Sequence, residues 1–317
     1  MENFCPCCGG TSTFGTSIPK DWRRPKVEQS YRITECELCG YGFVFPRPEP
    51  DEVPSFYILD DYYTHQIAGL QQTDGKFSFL KRLRYHLAWR LDNGKEPSSE
   101  WWTETLGPKS LTVLEIGCGN GRHLKMLEGL GHQALGIEPD RQAAETAISN
   151  GCTVYIGSAE NIPGEVQGKK FQVVIMSHVL EHTLDPTTAL VNARKLLADD
   201  GRFIVEVPNN DSLGRQVMGM YWAWLDVPRH LNFYGIESLK KACVNSGYKI
   251  IKTEYRGYFR QFSQNWLAIE NQIYRAFKND ENGKLADARY WNLFFRSAFS
   301  SPKRKYDSVR LILRKSV

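Results

Sequence analysis

From Leu111 onward the chain alternates short apolar runs with stretches of helical spacing. That rhythm limits the fold more than any other feature of its 317 residues. LTVLEIG, QALGIEPD, CTVYIGSAENIP, FQVVIMS and GRFIVEVPN read as strands, and RHLKMLEGLG, RQAAETAISNG and DPTTALVNARKLLADDG read as the helices between them. Strands joined by helical crossovers run parallel in a sheet covered on both faces, so the expected class is α/β. IESLKKACVNSGYKIIKTEYRG adds a helix and a strand, and SVRLILRK a last strand.

VLEIGCGNG sets Gly117, Gly119 and Gly121 between the first strand and its helix, where the backbone can turn tightly and let a ligand approach. Dinucleotide enzymes space a related loop as GxGxxG, whereas the order here is GxGxG. Glu115 stands two residues before the first glycine, where an acid repels a pyrophosphate and suits a cationic ligand. Glu138, 23 residues further on, is placed to accept ribose hydroxyls, and Ala159 and Glu160 to meet an adenine edge. In order, LEIGCGNG, GIEPD, GSAENIP, VVIMSHVLEH and LADDGRFIVEVPN resemble the class I S-adenosylmethionine-dependent methyltransferases, over about residues 105–255. The resemblance implies a seven-stranded Rossmann-like sheet with helices on both faces and an antiparallel last strand. It also implies S-adenosylmethionine as cofactor, held by Glu115, Gly117, Cys118, Gly119, Gly121, Glu138, Pro139, Ala159, Glu160 and Ser177.

Of eight cysteines, five fall within the first 39 residues, which points to metal rather than disulfides. Cys5-x2-Cys8 and Cys36-x2-Cys39 are each followed by glycine, a spacing that fits tetrahedral thiolate ligation of a structural Zn2+ and leaves Cys7 spare. The expected organisation is a zinc ribbon over 1–48 and a connector and helical lid segment over 49–108. The methyltransferase domain follows over 109–317, with an aromatic helical insertion at about 262–300. At its spacing that insertion reads as core or as the face of a homodimer.

The ribbon, CGYGFVFPRPEP and the DDYY that follows are similar to the N-terminal zinc module of bacterial sugar C-methyltransferases and of methyltransferases encoded among surface-polysaccharide genes. In that group the module covers the acceptor pocket, and Tyr62 and Tyr63 match its tyrosine-rich segment. His230 matches the histidine that serves there as base, with Arg229 where those enzymes carry glutamate, a change that suits an anion such as a diphosphate. Trp222, Trp224 and Asp226 have a composition that grips sugar rings. After the fourth strand stands SHVLEH, with no [DN]PP[YF] motif of the adenine and amide-N methyltransferases, which favours a hydroxyl or carbon acceptor.

In SHVLEH, His178, Glu181 and His182 fall at i, i+3 and i+4, so a helix would put them on one face. Topology places His178 in the pocket, at the carboxyl end of a strand. Ubiquinone-pathway O-methyltransferases carry a similar ExxEH segment that can hold a divalent ion. Here His178 replaces its first acid, and Glu181 and His182 read as pocket wall.

A net charge of +4 without a concentrated basic patch argues against nucleic acid as partner. The start MENFCPCCGG lacks a secretory pattern and no apolar run is long enough to span a membrane, so a cytoplasmic protein is expected. The expected function is methyl transfer to O or C of a small or carrier-linked sugar-like acceptor, such as a nucleotide-linked sugar or glycan, with His230 as base. The alternatives are an rRNA base methyltransferase, docking its ribbon on RNA through Trp22, Arg23, Arg24 and Lys26, and a non-catalytic S-adenosylmethionine-binding protein.

Overall fold

The computed structural model describes residues 4–57 and 78–316. Tyr62 and Tyr63 lie outside them. The chain opens with β1 (Ser12–Ile18), β2 (Tyr31–Cys36) and β3 (Gly42–Phe45), an antiparallel meander. Helices α1 (Phe79–Leu91) and α2 (Ser99–Leu106) follow. Then come β4 (Thr112–Ile116), α3 (Arg122–Gly129), β5 (Gln133–Glu138), α4 (Arg141–Ser149), β6 (Val154–Ile156) and β7 (Phe171–Ser177). The alternation continues through α5 (Pro186–Leu196) and β8 (Leu197–Pro208).

Local chemistry sets several of these starts. Asp140 accepts from the Ala143 N–H to cap α4, and Asp185 accepts from Thr187 and Thr188 ahead of Pro186 to cap α5. The helix expected to run through Ala198–Gly201 instead stops at Leu196. Leu197 turns extended and pairs with Phe171, so the acidic ADDG stretch belongs to the twelve-residue strand β8.

Past β8 lie α6 (Leu213–Met218), β9 (Asn232–Phe233), α7 (Ile236–Asn245), β10 (Tyr248–Arg256), α8 (Gln264–Lys278), α9 (Asp287–Ser297), α10 (Pro302–Lys305) and β11 (Ser308–Lys315). The large sheet has seven strands in the order β10-β11-β8-β7-β4-β5-β6. Only β11 is antiparallel to its neighbours, as expected for SVRLILRK.

The period of two along the strands supplies a core on each face. Leu114, Ile116, Val174, Met176, Val205 and Val207 pack toward α5 and α7. Val113, Val173, Ile175, Ile204 and Ile312 pack with Trp101, Trp102 and Leu127 of α2 and α3. A separate apolar cluster joins α1, α6, α8 and α9 to the ribbon through Ile18, Tyr31, Ile33 and Val44. The aromatic insertion is thus largely core, with Trp266, Tyr290 and Phe294 buried, while Phe295 and Phe299 stay exposed.

The ribbon sheet has a fourth strand that sequence periodicity did not reveal. Strand β9 pairs with β3, Gly42 opposite Phe233 and Phe43 opposite Asn232. The ribbon is therefore wedged between two cores, with Cys36, Tyr41 and Phe43 in one and Ile33 and Val44 in the other.

Candidate active site

The crevice at the carboxyl ends of β4, β5 and β7 is built first by the glycine loop. Gly117 has φ +75° and a Cβ there would stand 2.4 Å from Val179, so only glycine fits. Gly121, at φ +76°, is closed in by Ala147 and Cys152 in the same way, whereas nothing stands within 4 Å of a Cβ on Gly119. The loop is thus packed from behind and open in front. Cys118 points backward: its thiol sits where only the bare Gly136 leaves room, and burial, with Glu115 and Glu138 nearby, keeps it protonated. Pro139 is exposed at the end of β5.

Glu115 Oε1 meets His123 Nδ1 at 2.6 Å, and its Oε2 is buried with no partner among the described residues. A buried carboxylate oxygen without a donor is costly, and a bound ammonium group would relieve it. Glu138 is held by two backbone donors, Gly119 N–H at 2.7 Å and Asp140 N–H at 2.9 Å, and burial pushes its carboxyl up to about 7. Asn192 donates to the carbonyls of both Ala159 and Glu160. The Glu160 carboxylate accepts from Asp185 N–H, so that side chain already braces the start of α5.

SHVLEH is not the helix that its spacing suggests. Ser177 ends β7 opposite Glu206, His178 turns left-handed at φ 56°, and only Leu180–His182 forms a 3-10 turn. The three side chains therefore part company. His178 is clamped by two carboxylates, Nδ1 on Glu181 at 3.0 Å and Nε2 on Glu206 at 3.0 Å, and stacks on Trp224 at 4.5 Å. Burial alone would lower its pKa, but the hydrogen bonds to Glu181 and Glu206 outweigh it and raise it. Both nitrogens donate, so His178 is an imidazolium with no lone pair to take a proton. His178, expected in the pocket, is thus held as a charged strut and is not free to act as a base. Burial would push the Glu206 carboxyl up, but Arg256 and Arg310 hold it well below the usual range.

His182 turns the other way, edge-on to His230 with ring centroids 4.6 Å apart. Nδ1 of His182 lies 3.1 Å from Arg229 O and 2.9 Å from the Tyr57 hydroxyl; Nδ1 of His230 lies 2.7 Å from Trp224 O. A carbonyl only accepts, so both rings carry the proton on Nδ1 and keep the lone pair on Nε2. Burial is the main cause that lowers each to about 4, which leaves both neutral.

Comparison with known proteins places this arrangement. A family model described as a methyltransferase domain matches residues 83–253, just over half of the chain. This chain belongs to that family and carries its methyltransferase domain. A ubiquinone biosynthesis O-methyltransferase of Cereibacter sphaeroides is 28% identical over 130 residues, which cover 38% of this chain and 53% of that protein. One from a Chelativorans species is 24% identical over 190 residues, 55% of this chain and 73% of that one. The chain thus spans about half the length of the first of these curated relatives. Among solved structures, magnesium protoporphyrin IX methyltransferase from Synechocystis PCC 6803 with bound SAH aligns with a TM-score of 0.46 and 16% identity, over 77% of this chain and 90% of that chain.

The ribbon packs against the turn that follows β7. Arg47 of the PRP stretch donates to the carbonyls of Thr183, Leu184 and Leu231, and Asn232 of β9 donates to Leu180 and Thr183. Tyr41 donates to Asn232 Oδ1 at 2.5 Å. Arg229 is not available for an anionic substrate: it is 0% exposed and bound to Asp21 at 2.7 Å and Asp226 at 2.9 Å. Asp226 is spent as well, on Arg229, Arg23 and Trp22, so it does not grip a sugar ring. Arg24 pairs with Asp21 at 2.8 Å. Three of the four ribbon residues that an RNA contact would have used are thus turned inward.

The four expected metal thiols converge, with Cys5 and Cys39 sulfurs 3.7 Å apart and those of Cys8 and Cys36 3.5 Å apart. A tetrahedron with metal–sulfur bonds of about 2.3 Å has edges of about 3.8 Å, so the donors fit Zn2+. Cys7 is not one of the four; its thiol lies 3.8 Å from Ser238 O.

Sequence reasoning missed Tyr57, Glu206, Asp21 and Asn232. Glu206 carried a signal, an acid inside the apolar strand FIVEVPN, where burial demands cationic partners. Among the described residues no helix is long and apolar enough to cross a membrane.

Proposed function

We propose that this methyltransferase acts on O or C of a small or carrier-linked sugar-like acceptor, with His230 as the group that takes the proton. The observation that carries the reading is the hydrogen bond of His230 Nδ1 to Trp224 O. It fixes the tautomer and leaves Nε2 as a lone pair in a neutral ring, beside the aromatic Trp224 and at the carboxyl end of the sheet. His178, saturated by two carboxylates, lacks that capacity.

S-adenosylmethionine supplies an already activated methyl group, so the chain has to hold, orient and exclude water. Glu115 Oε2 would take the cofactor's ammonium, the open face of Gly119 would let its body approach, and Glu138 would accept ribose hydroxyls. Ala159, Glu160 and Ser177 would line the same crevice. Cys5, Cys8, Cys36 and Cys39 would hold one structural Zn2+ that keeps the ribbon folded against the acceptor side. Tyr62 and Tyr63 remain candidates for the acceptor approach. The residue ranges 1–48, 49–108 and 109–317 are proposed as ribbon, connector and catalytic domain.

The test pairs His230→Ala with a panel of nucleotide-sugars and phenolic acceptors, with methylated product read by mass spectrometry. Turnover should fall 10²- to 10⁴-fold while the affinity for S-adenosylhomocysteine is kept. Near-normal turnover by the variant would remove His230 from the role of base. Methylation of the phenols with none of the sugars would overturn the acceptor class.

A further inference from the structure

We propose that the outer side of helices α1 and α9 is a docking surface for an anionic phospholipid bilayer, on which the protein lies without crossing it. Phe79, Leu83, His86 and Arg90 fall at i, i+4, i+7 and i+11 of α1, one line along the helix, and all four are exposed. A helix packed on a core ordinarily turns its apolar stripe inward and its charges to water. Helix α1 does the opposite. Phe79 is 77% exposed and Leu80 58%, while Arg84 is buried against the rings of Tyr290 and Trp291 of α9.

Helix α9 continues the same face. Lys81 pairs with Asp287 at 3.4 Å where α9 begins, and Trp291, beside Arg84, stacks on Phe295 at 5.6 Å. Phe295 is 69% exposed, and Phe299, four positions on, is 89% exposed. Apolar residues exposed singly are ordinary, whereas a contiguous set with a polar rim marks an interaction surface.

The charges of the rim select the partner. Helix α1 carries Lys81, Arg82, Arg84 and Arg90 and no acid, and α9 sets Arg289 and Arg296 against Asp287 alone, which Lys81 already neutralises. Arg82, Arg90 and Arg296 stand exposed among the apolar side chains. A second copy of this chain, docked about a two-fold axis, would bring these cations against their own images. A nucleic acid would meet the arginines but offers no apolar medium to the leucines. An anionic bilayer answers both features, with acyl chains for the phenylalanines and leucines and headgroups for the arginines. At 13 residues α1 is about 20 Å long, enough to lie in the headgroup layer and too short to span.

This face lies one layer out from the crevice. Tyr85 of α1 meets Phe259 edge-on at 5.9 Å, and the next residue, Arg260, lies over Trp224, whose ring stacks on His178. A docked chain would thus hold the crevice one helix layer from the lipid, a place suited to an acceptor with a lipid anchor. The docking itself does not rest on the acceptor class.

The experiment needs neither acceptor nor turnover. The full chain is sedimented with vesicles of phosphatidylglycerol and phosphatidylcholine in equal parts, or of phosphatidylcholine alone. It should bind the mixed vesicles only, and less as salt is raised, because the headgroup attraction is screened. Arg82→Gln with Arg90→Gln should weaken partition roughly 20- to 30-fold, at about fivefold per cation. Phe79→Ser with Phe299→Ser should weaken it at least about tenfold on the same vesicles. Unchanged binding of S-adenosylhomocysteine by each variant reports an intact fold. The proposal falls if the wild type binds neither vesicle or both equally, or if both double variants bind at full strength. It falls equally if the chain retains single-stranded RNA but no vesicles, or forms a dimer that Phe79→Ser abolishes and binds no vesicles.

Discussion

At the scale of single residues, two ionisable groups deep in the crevice make opposite demands. His178 is stabilised as a cation between Glu181 and Glu206, so its contribution is complete below the ordinary histidine pKa of 6.5 and is lost as pH rises through its raised folded value. His178→Ala leaves Glu181 buried without its cation and should cost about 3 kcal/mol in urea unfolding at pH 6. His178→Asn should cost less, since asparagine tolerates the left-handed backbone and can still donate to one carboxylate. Equal stability of wild type and the alanine variant would mean that the clamp contributes nothing. Glu138 behaves in reverse. Its carboxyl is pushed up from 4.5 to about 7, so the ligand-free protein is favoured below pH 4.5 and loses that advantage as pH rises through about 7. Ribose recognition uses the ionised form. Binding of S-adenosylhomocysteine, followed by calorimetry, should therefore strengthen by up to tenfold per pH unit until about pH 7 and then level off. A flat profile from pH 5 to 8 would show that Glu138 is already ionised throughout.

At the scale of elements, the interface between ribbon and catalytic sheet turns on the pair Asp21–Arg229, both fully buried. Removing one partner of such a pair strands the other and costs about 3 to 5 kcal/mol. Asp21→Asn and Arg229→Met should each destabilise by that order. The double variant should recover much of the loss, giving a coupling above 1 kcal/mol in a double-mutant cycle. Strict additivity would show that the two do not act as a pair. The elements differ in how far they could be read from sequence. The strands of the large sheet were legible because each leaves a short apolar run between stretches of helical spacing, as LTVLEIG and FQVVIMS do. Strand β9 was not, because two residues carry no period and its existence depends on the edge that β3 offers. The SHVLEH triplet misled for a related reason. Its helical spacing is genuine, but the left-handed turn at His178 splits it, sending one histidine to Glu206 and the other to His230. Glycine and carboxylate positions of the crevice were readable because steric and charge constraints act locally. The partners of Arg229 were not, since Asp21 lies 208 positions away.

At the scale of the whole molecule, the ribbon is tied to the loop that carries His230, through Arg47, Tyr41 and β9. Chelation strong enough to strip the four-cysteine site should therefore abolish methyl transfer while leaving S-adenosylhomocysteine binding within a few-fold, because the glycine loop packs on α4 and β5. Restoring Zn2+ should restore turnover in parallel with the metal content. Full turnover by a chain proven to lack metal would overturn the link.

The pairing of β3 with β9 also bears on how the protein is made. Gly42 leaves the ribosome about 190 residues before Phe233, and at 5–20 residues per second that is a wait of roughly 10 to 40 seconds. Through that interval the nascent ribbon has a sheet edge without its strand and an apolar side without its core. Cells starved of zinc during translation would meet this stage with the knuckles unfolded as well. The yield of soluble protein should then depend on metal supply during synthesis more than on metal added afterwards.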